Sequence, residues 1–231
     1  MNLRHIRTRL HAVAIGVGLA ACLAPAAGED IDIYAHPNIS TELPNVLFVL
    51  DDSANWSTSI PAPDCYYRDN GVATASGPKA SAPDREQGKK VAIEKCALYN
   101  LIDVLPVSAN GDPSNNALFN IGLLLLNESP DNGAYPRRAF TQLTTNNKAV
   151  LKALIKGLSI GADKGSNADF AKALYEAYLY FMGLTPYQGA LAPKADAAAF
   201  SGGRYASPAQ ASCARNYVIL IANGAPQGSD R

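Results

Sequence analysis

The stretch Asn45-Val46-Leu47-Phe48-Val49-Leu50-Asp51-Asp52-Ser53 decides the reading of this chain. Five apolar residues in a row suit a strand buried on both faces, and such strands belong to sheets covered by helices on either side. The run ends abruptly in two carboxylates and a hydroxyl. Further along, Asn120 to Leu126 is a second buried strand, with Ile121 and the four leucines Leu123 to Leu126. Tyr217 to Ile221 is the last, leading into Ala222-Asn223-Gly224-Ala225-Pro226. Tyr135 to Leu143 has polar interruptions and contains Pro136, which confines it to the edge of a sheet.

Helical patterns lie between these strands. From Lys89 to Leu105, the residues Val91, Leu98, Ile102 and Leu105 recur at helical spacing, and Pro106 ends the element. A second helix is expected over Lys148 to Leu158, capped by Thr145 or a nearby Asn, with Val150, Leu151, Leu154 and Leu158 on its apolar face. After a Gly165-Ser166-Asn167 turn comes the clearest helix, Ala168 to Met182. Phe170, Leu174, Tyr178 and Phe181 form its stripe, and Tyr175 and Tyr180 lie off it. The Pro-, Gly-, Ser- and Asp-rich stretch 54–88 reads as a surface loop inserted after the first strand, tied down by Cys65.

Strands alternating with helices predict an α/β fold with a doubly wound, mostly parallel sheet of Rossmann type. Ligand sites in such sheets lie outside the carboxyl ends of the strands. If the first and last strands are parallel neighbours, Asp51, Asp52 and Ser53 meet Asn223 on one rim. A doubly wound domain normally continues past such a strand, so the fold reads as incomplete at its C-terminus, with apolar sheet exposed.

The 231 residues carry 20 basic and 20 acidic side chains, are 48% hydrophobic and 17% charged, and so have an ordinary globular balance. Without a basic surplus, nucleic-acid binding is excluded as the leading class. Arg4, Arg7 and Arg9 precede an apolar run from Ala12 to Leu23, too short to span a bilayer. This is the layout of a secretory signal peptide over 1–27, with Ala24-Pro25-Ala26 as the cleavage site. Leu19-Ala20-Ala21-Cys22 offers a rival, lipoprotein-type cut, and a retained anchor is the bland alternative. Residues 28–44 then form a leader and 45–231 the domain. Cleavage leaves a mildly acidic chain whose sole histidine is His36, which disfavours a multi-histidine zinc site or a serine triad. It also predicts an exported protein with no membrane-spanning segment. In an oxidising compartment Cys65 and Cys96, which bracket one loop, are the expected disulfide, leaving Cys213 over; the competing reading keeps all three reduced.

The rim is where chemistry is expected. Asp51, Ser53 and Asn55 present oxygen at alternate positions, Ser166 adds a hydroxyl and Asn223 an amide carbonyl. Hard divalent cations such as Mg²⁺ and Ca²⁺ take such ligands. With one firm carboxylate, Asp51, and Asp52 behind it, binding would be weak. The same groups can instead hydrogen-bond loop backbones and simply hold the rim together.

These residues resemble the metal-ion-dependent adhesion site of von Willebrand factor A-like domains. Asp51-Asp52-Ser53-Ala54-Asn55 stands for its D-x-S-x-S, Gly165-Ser166-Asn167 for its Thr loop, and Ala222-Asn223-Gly224 for its T-D-G. Asn55, Ser166 and Asn223 each depart from that pattern. A closer resemblance is to the N-terminal region of PilC/PilY-type proteins of bacterial type IV pili. It rests on Pro44 to Asp51, Ser53-Ala54-Asn55-Trp56-Ser57, Lys172-Ala173-Leu174-Tyr175-Glu176-Ala177-Tyr178 and Asn216 to Gly224. The resemblance implies an exported pilus-tip adhesion or biogenesis factor at the periplasm, outer membrane or cell surface. Its implied partners are pilus subunits, assembly proteins or a host or surface ligand. A large C-terminal propeller follows in that family and has no counterpart in these 231 residues.

Two other readings compete. A structural or regulatory pilus module needs no metal, and Trp56, Tyr66 and Tyr67 in the insertion would then be its contact residues, unless they pack the loop onto the domain. An aspartyl-nucleophile phosphatase would need D-x-D, but Ser53 stands two residues after Asp51, so no enzyme is expected.

Overall fold

The computed structural model describes residues 43–61, 66–69, 72–73, 86–107, 117–126, 133–165, 167–208 and 214–225, all within the unit Glu42–Arg231. The signal peptide, nearly all of the leader, Cys65, Ser166, Cys213 and most of the 54–88 insertion lie outside the described residues.

Four strands build the main sheet: β1 (Asn45–Leu50), β4 (Asn120–Leu126), β5 (Ala134–Gln142) and β8 (Asn216–Ile221), in the order β5-β4-β1-β8. β1 runs parallel to both β4 and β8, and β5 is antiparallel to β4 at the edge, where Pro136 sits without breaking a central ladder. The protein is thus α/β with a mostly parallel sheet. Chain order along the sheet reverses between β1 and β8, which makes that crevice the switch point of the topology. Short pairs β2 (Arg68–Asp69) with β3 (Val72–Ala73), and β6 (Phe200–Ser201) with β7 (Arg204–Tyr205), lie outside it.

Side chains along the central strands alternate between two cores. Phe48, Leu50, Ile121, Leu123 and Leu125 face one side, covered by α1 (Lys90–Val104) and α2 (Thr145–Gly157). Leu47, Val49, Leu124 and Leu126 face the other, covered by α4 (Phe170–Met182) and the segment around Tyr205. Between α2 and α4 lies the single turn α3 (Ile160–Asp163). Register is pinned at the amino ends of the strands by an amide ladder. Asn120 donates its side-chain N–H to Asn45 Oδ1, and Asn45 donates to Asn216 Oδ1, both at 2.8 Å, across residues already paired in register. A one-residue slip would break both bonds and turn every apolar side chain to the wrong face.

α1 and α2 complete each other's carboxyl ends. Buried Lys95 of α1 donates to Leu158 O at 2.8 Å, just past α2, while Lys148 of α2 donates to Asp103 O and to Leu105 O at the end of α1. Each ammonium meets carbonyls that the helix itself cannot satisfy, at the negative end of the dipole.

The insertion has a bonded stem. Ser59 bridges Lys89, Ile60 N donates to Gly88 O and Lys90 N to Thr58 O, so 61–86 leaves and returns at one place.

Three expectations need correction. The cap of α2 is Thr144, whose Oγ1 accepts from Asn147 N, because the helix starts at Thr145 rather than Lys148. Of its expected apolar face, Leu151 and Leu158 are buried and Leu154 packs against the same core; Ile155 joins them, and Val150 is exposed. α4 is rotated about a third of a turn from the expected stripe: Phe170 and Phe181 still pack against the core, but Leu174 and Tyr178 face solvent, and Ala173, Glu176, Ala177, Leu179 and Tyr180 are buried. The small alanines allow close approach, and the polar pair has dedicated partners. Glu176 accepts from Tyr205 OH at 2.6 Å, Tyr187 N and Gln188 N, and Tyr180 OH accepts from Phe140 N at 3.1 Å. Burying satisfied polar groups here outweighs burying larger apolar ones.

β8 takes the outer edge of the described sheet and leaves Tyr217, Val218 and Ile219 exposed. No helix among the described residues is long and apolar enough to cross a membrane.

Candidate functional site

Because β1, β4 and β8 are parallel and in register, their carboxyl ends finish level, with Leu50 opposite Leu125 and Ile221. The next residues of β1 therefore fall between the ends of its two neighbours. Asp51 turns toward the β8 side. Its Oδ2 accepts from Asn223 N at 3.0 Å, its Oδ1 from Ser53 N at 3.1 Å, and its backbone carbonyl from Asn223 Nδ2 at 2.7 Å. Asp52 turns toward β4, where Oδ1 accepts from Leu126 N at 2.8 Å and its carbonyl from Gly165 N at 2.7 Å. Adjacent carboxylates thus serve opposite neighbours of the same strand, and both are fully buried.

Asn55 reaches the same rim, its Nδ2 2.8 Å from where a Cβ on Gly224 would stand. The structure therefore brings Asp51, Ser53, Asn55 and Asn223 together. It places Gly165 on Asp52, while Ser166 lies outside the described residues.

Four buried side-chain polar atoms lack a hydrogen-bond partner among the described residues, and three are here: Asp52 Oδ2, Ser53 Oγ and Asn223 Oδ1. All three are oxygens, on residues that adjoin or bond Asp51. Buried oxygens without donors are costly, and a hard cation is one partner that satisfies them. The donor chemistry therefore fits Mg²⁺ or Ca²⁺. The charge does not favour tight binding. Asp51 already accepts two N–H bonds, Asp52 is the remaining carboxylate, and no group of three or more His, Cys, Asp or Glu converges among the described residues. Burial, helped by the nearby Asp51 and Asp163 charges, pushes the Asp52 carboxyl well above its ordinary range against the pull of its backbone hydrogen bonds.

Two residues of the site were not legible beforehand. Lys90, at the start of α1, donates to Asn223 O at 2.6 Å and clamps the β8 loop onto the rim. Glu94, one turn later, accepts from Trp56 Nε1 at 2.7 Å; burial, with the Asp51 charge adding and Trp56 and Lys90 opposing, raises its carboxyl to about 8. The available signal was Gly88-Lys89-Lys90 opening a helix, with Glu94 four residues after Lys90.

The contact residues expected in the insertion need correction. Trp56 is wholly buried in the turn Ala54–Ser57, and Tyr67 is buried against Tyr99 with ring centroids 4.6 Å apart. Their rings pack the insertion onto α1, and Tyr66 alone of the three stays exposed. Cys96 is disulfide-bonded; Cys65 lies outside the described residues.

A cavity of about 140 Å³ lies on the β4 side, lined by Leu126, Tyr135, Asp163 and Lys194 with their neighbours. Its charges are internally matched, since Asp163 pairs with Lys194 at 3.1 Å and Arg137 at 3.4 Å. It presents no unpaired charge to a ligand. No family model, curated protein or solved structure matches this chain.

Proposed function

We propose that this chain is an exported adhesion or biogenesis factor of type IV pili, of the PilC/PilY type. It binds protein partners through a von Willebrand factor A-like domain whose rim takes a divalent cation weakly. The observation that carries this reading is the pair of donor-less buried oxygens Ser53 Oγ and Asn223 Oδ1 at the switch point of a parallel sheet, with a third, Asp52 Oδ2, on the neighbouring residue that faces β4. Hard-cation ligands at that place, on the loops after β1 and β8, are what a cation-assisted adhesion site requires. A cation held there would keep Asp52 ionised and offer an open coordination position to an acidic group of a partner. Pilus subunits, assembly proteins or a surface ligand are the partners this reading implies, at the periplasm, outer membrane or cell surface.

Calorimetric titration of the exported chain with Mg²⁺, Mn²⁺ and Ca²⁺ tests it. The expected result is binding in the high-micromolar to millimolar range that disappears in Ser53→Ala and Asp52→Asn. Absence of saturable heat in the wild type overturns the cation.

A metal-independent pilus module is the second reading. It is favoured by the closed bonding of Asp51 with Ser53 and Asn223, and by the Lys90 clamp, which hold the rim without any ion. Under it, Asp52→Asn leaves partner binding unchanged.

A further inference from the structure

Lys90 opens α1 and reaches the loop after β8, where its ammonium donates to Asn223 O at 2.6 Å. Asn223 also carries Oδ1, one of the buried oxygens without a donor, and Ser53 Oγ is its counterpart on the loop after β1. One residue thus gives its backbone oxygen to an ammonium while its side-chain oxygen stays unmet. Asp51 holds that residue still, accepting from Asn223 N at 3.0 Å on its carboxylate and from Asn223 Nδ2 at 2.7 Å on its carbonyl. Among the described residues the Lys90 ammonium pairs with no carboxylate, so no salt bridge cancels its charge. The Glu94 carboxyl feels Lys90 and Asp51 with opposite sign, which puts both charges over the same part of the rim. The amino end of α1, a helix of 15 residues, adds its positive dipole end there.

We propose that Lys90 is the resident cation of the rim: it fastens the loop after β8 and, through its charge, sets the affinity of Ser53 and Asn223 for Mg²⁺ or Ca²⁺ low. This role rests on the cation reading of the rim and adds the residue that regulates it. A divalent ion on Ser53 Oγ and Asn223 Oδ1 would stand within one residue's breadth of the ammonium on Asn223 O. Even in a water-like dielectric, a single and a double positive charge about 6 Å apart repel enough to lower affinity about tenfold. The factor grows at the lower dielectric around a half-buried lysine. Ion binding and the Lys90 contact therefore oppose each other, and by linkage each weakens the other to the same extent. A lysine that only fastened the loop would act in the opposite direction, because releasing the loop misplaces Asn223 Oδ1 and costs ion affinity. The sign of the change on removing the charge separates the two roles.

The test is calorimetric titration of the exported chain with Mg²⁺ and Ca²⁺, comparing wild type with Lys90→Met, Lys90→Gln and Lys90→Arg. Lys90→Met removes charge and donor, Lys90→Gln removes the charge and keeps a donor, and Lys90→Arg keeps both. The Met and Gln variants should bind about tenfold tighter or more, and the Arg variant within about threefold of wild type. Urea unfolding gives a second readout. In chelated buffer Lys90→Met should have a lower midpoint than wild type, and Mg²⁺ should raise that midpoint more than it raises the wild-type one. Near-ultraviolet dichroism of Trp56 reports the fold, and Lys90→Gln carries the test if Lys90→Met does not fold. Unchanged or weaker binding in the charge-free variants, with wild type binding, overturns the role of Lys90 and leaves the cation reading standing. Saturable binding in the charge-free variants alone supports the role of Lys90 and removes the ion from the native rim. No saturable heat in any variant overturns both.

Discussion

Trp56 donates its indole N–H to Glu94 at 2.7 Å inside the core, so the loop that leaves the rim is bonded to the helix that covers it. Trp56 is the only tryptophan of the chain, which makes this bond directly observable. With the Glu94 carboxyl raised from 4.5 to about 8, the folded state holds a proton that the unfolded state has released above pH 4.5. Stability from this group is full below pH 4.5, falls as pH rises, and is gone above about 8. Fluorescence of wild type should titrate with a midpoint near 8. Unfolding free energy should drop by on the order of 5 kcal/mol across that window, and Glu94→Gln should abolish both effects. A flat fluorescence profile between pH 6 and 9 would count against it.

Asp51 and Asp52 should respond oppositely to amidation in chelated buffer. Asp51 accepts N–H bonds at both oxygens, and Asn can accept at only one, so Asp51→Asn should cost about 1–3 kcal/mol in urea unfolding. Asp52→Asn keeps the bond from Leu126 N and removes a charge that burial penalises. Since burial raises the folded Asp52 carboxyl, its stabilising contribution fades as pH increases, and Asp52→Asn should equal or exceed wild type at pH 7 and above. Equal losses in both variants would contradict the assignment.

Gly189 lies against the Glu176–Tyr205 pair. A Cβ there would overlap the Tyr205 hydroxyl and approach Glu176 Oε1 at 3.0 Å and Ala134 O at 3.1 Å. Gly189→Ala should cost about 2–3 kcal/mol, lowering the thermal midpoint by several degrees. Because the hydroxyl is what obstructs, adding Tyr205→Phe should recover part of the loss, and strictly additive losses would refute the contact.

Peptide mapping of the oxidised chain should pair Cys96 with Cys65. Tyr66 O and Arg68 N both bond the Asn100 side chain, one helical turn from Cys96, so the chain beside Cys65 is already held at the correct stretch of α1. A Cys96–Cys213 or Cys96–Cys22 peptide would disprove the pairing.

Legibility in the sequence followed the physics of burial. β1, β4 and β8 were readable because uninterrupted apolar runs have few alternatives, and Pro136 marked the edge. Asp51, Ser53, Asn55 and Asn223 followed from strand ends alone, since parallel register brings those ends level whatever the side chains do. The facing of α4 was only partly readable: Phe170 and Phe181 do pack against the core, but its fully buried side consists of two alanines, a glutamate, a leucine and a tyrosine, while Leu174 and Tyr178 face solvent, so ranking by hydrophobicity misplaces the face. Lys90 and Glu94 were hidden because their roles depend on where α1 lands over the rim. Trp56 looked like a surface anchor because its neighbours are polar, and only its pairing with a distant carboxyl permits burial.

The bonded stem at Ser59, Ile60, Gly88 and Lys89 turns the insertion into a port. Tyr67 and Asp69 dock on α1 and α2, and none of the bonds that close the stem involves the span between Ala73 and Glu86. Closing such an excursion costs only about 0.6 kcal/mol more for each doubling of its length. An epitope, a reporter or a small folded domain could be spliced in there at little thermodynamic penalty, and relatives could differ widely in that span while keeping the same rim.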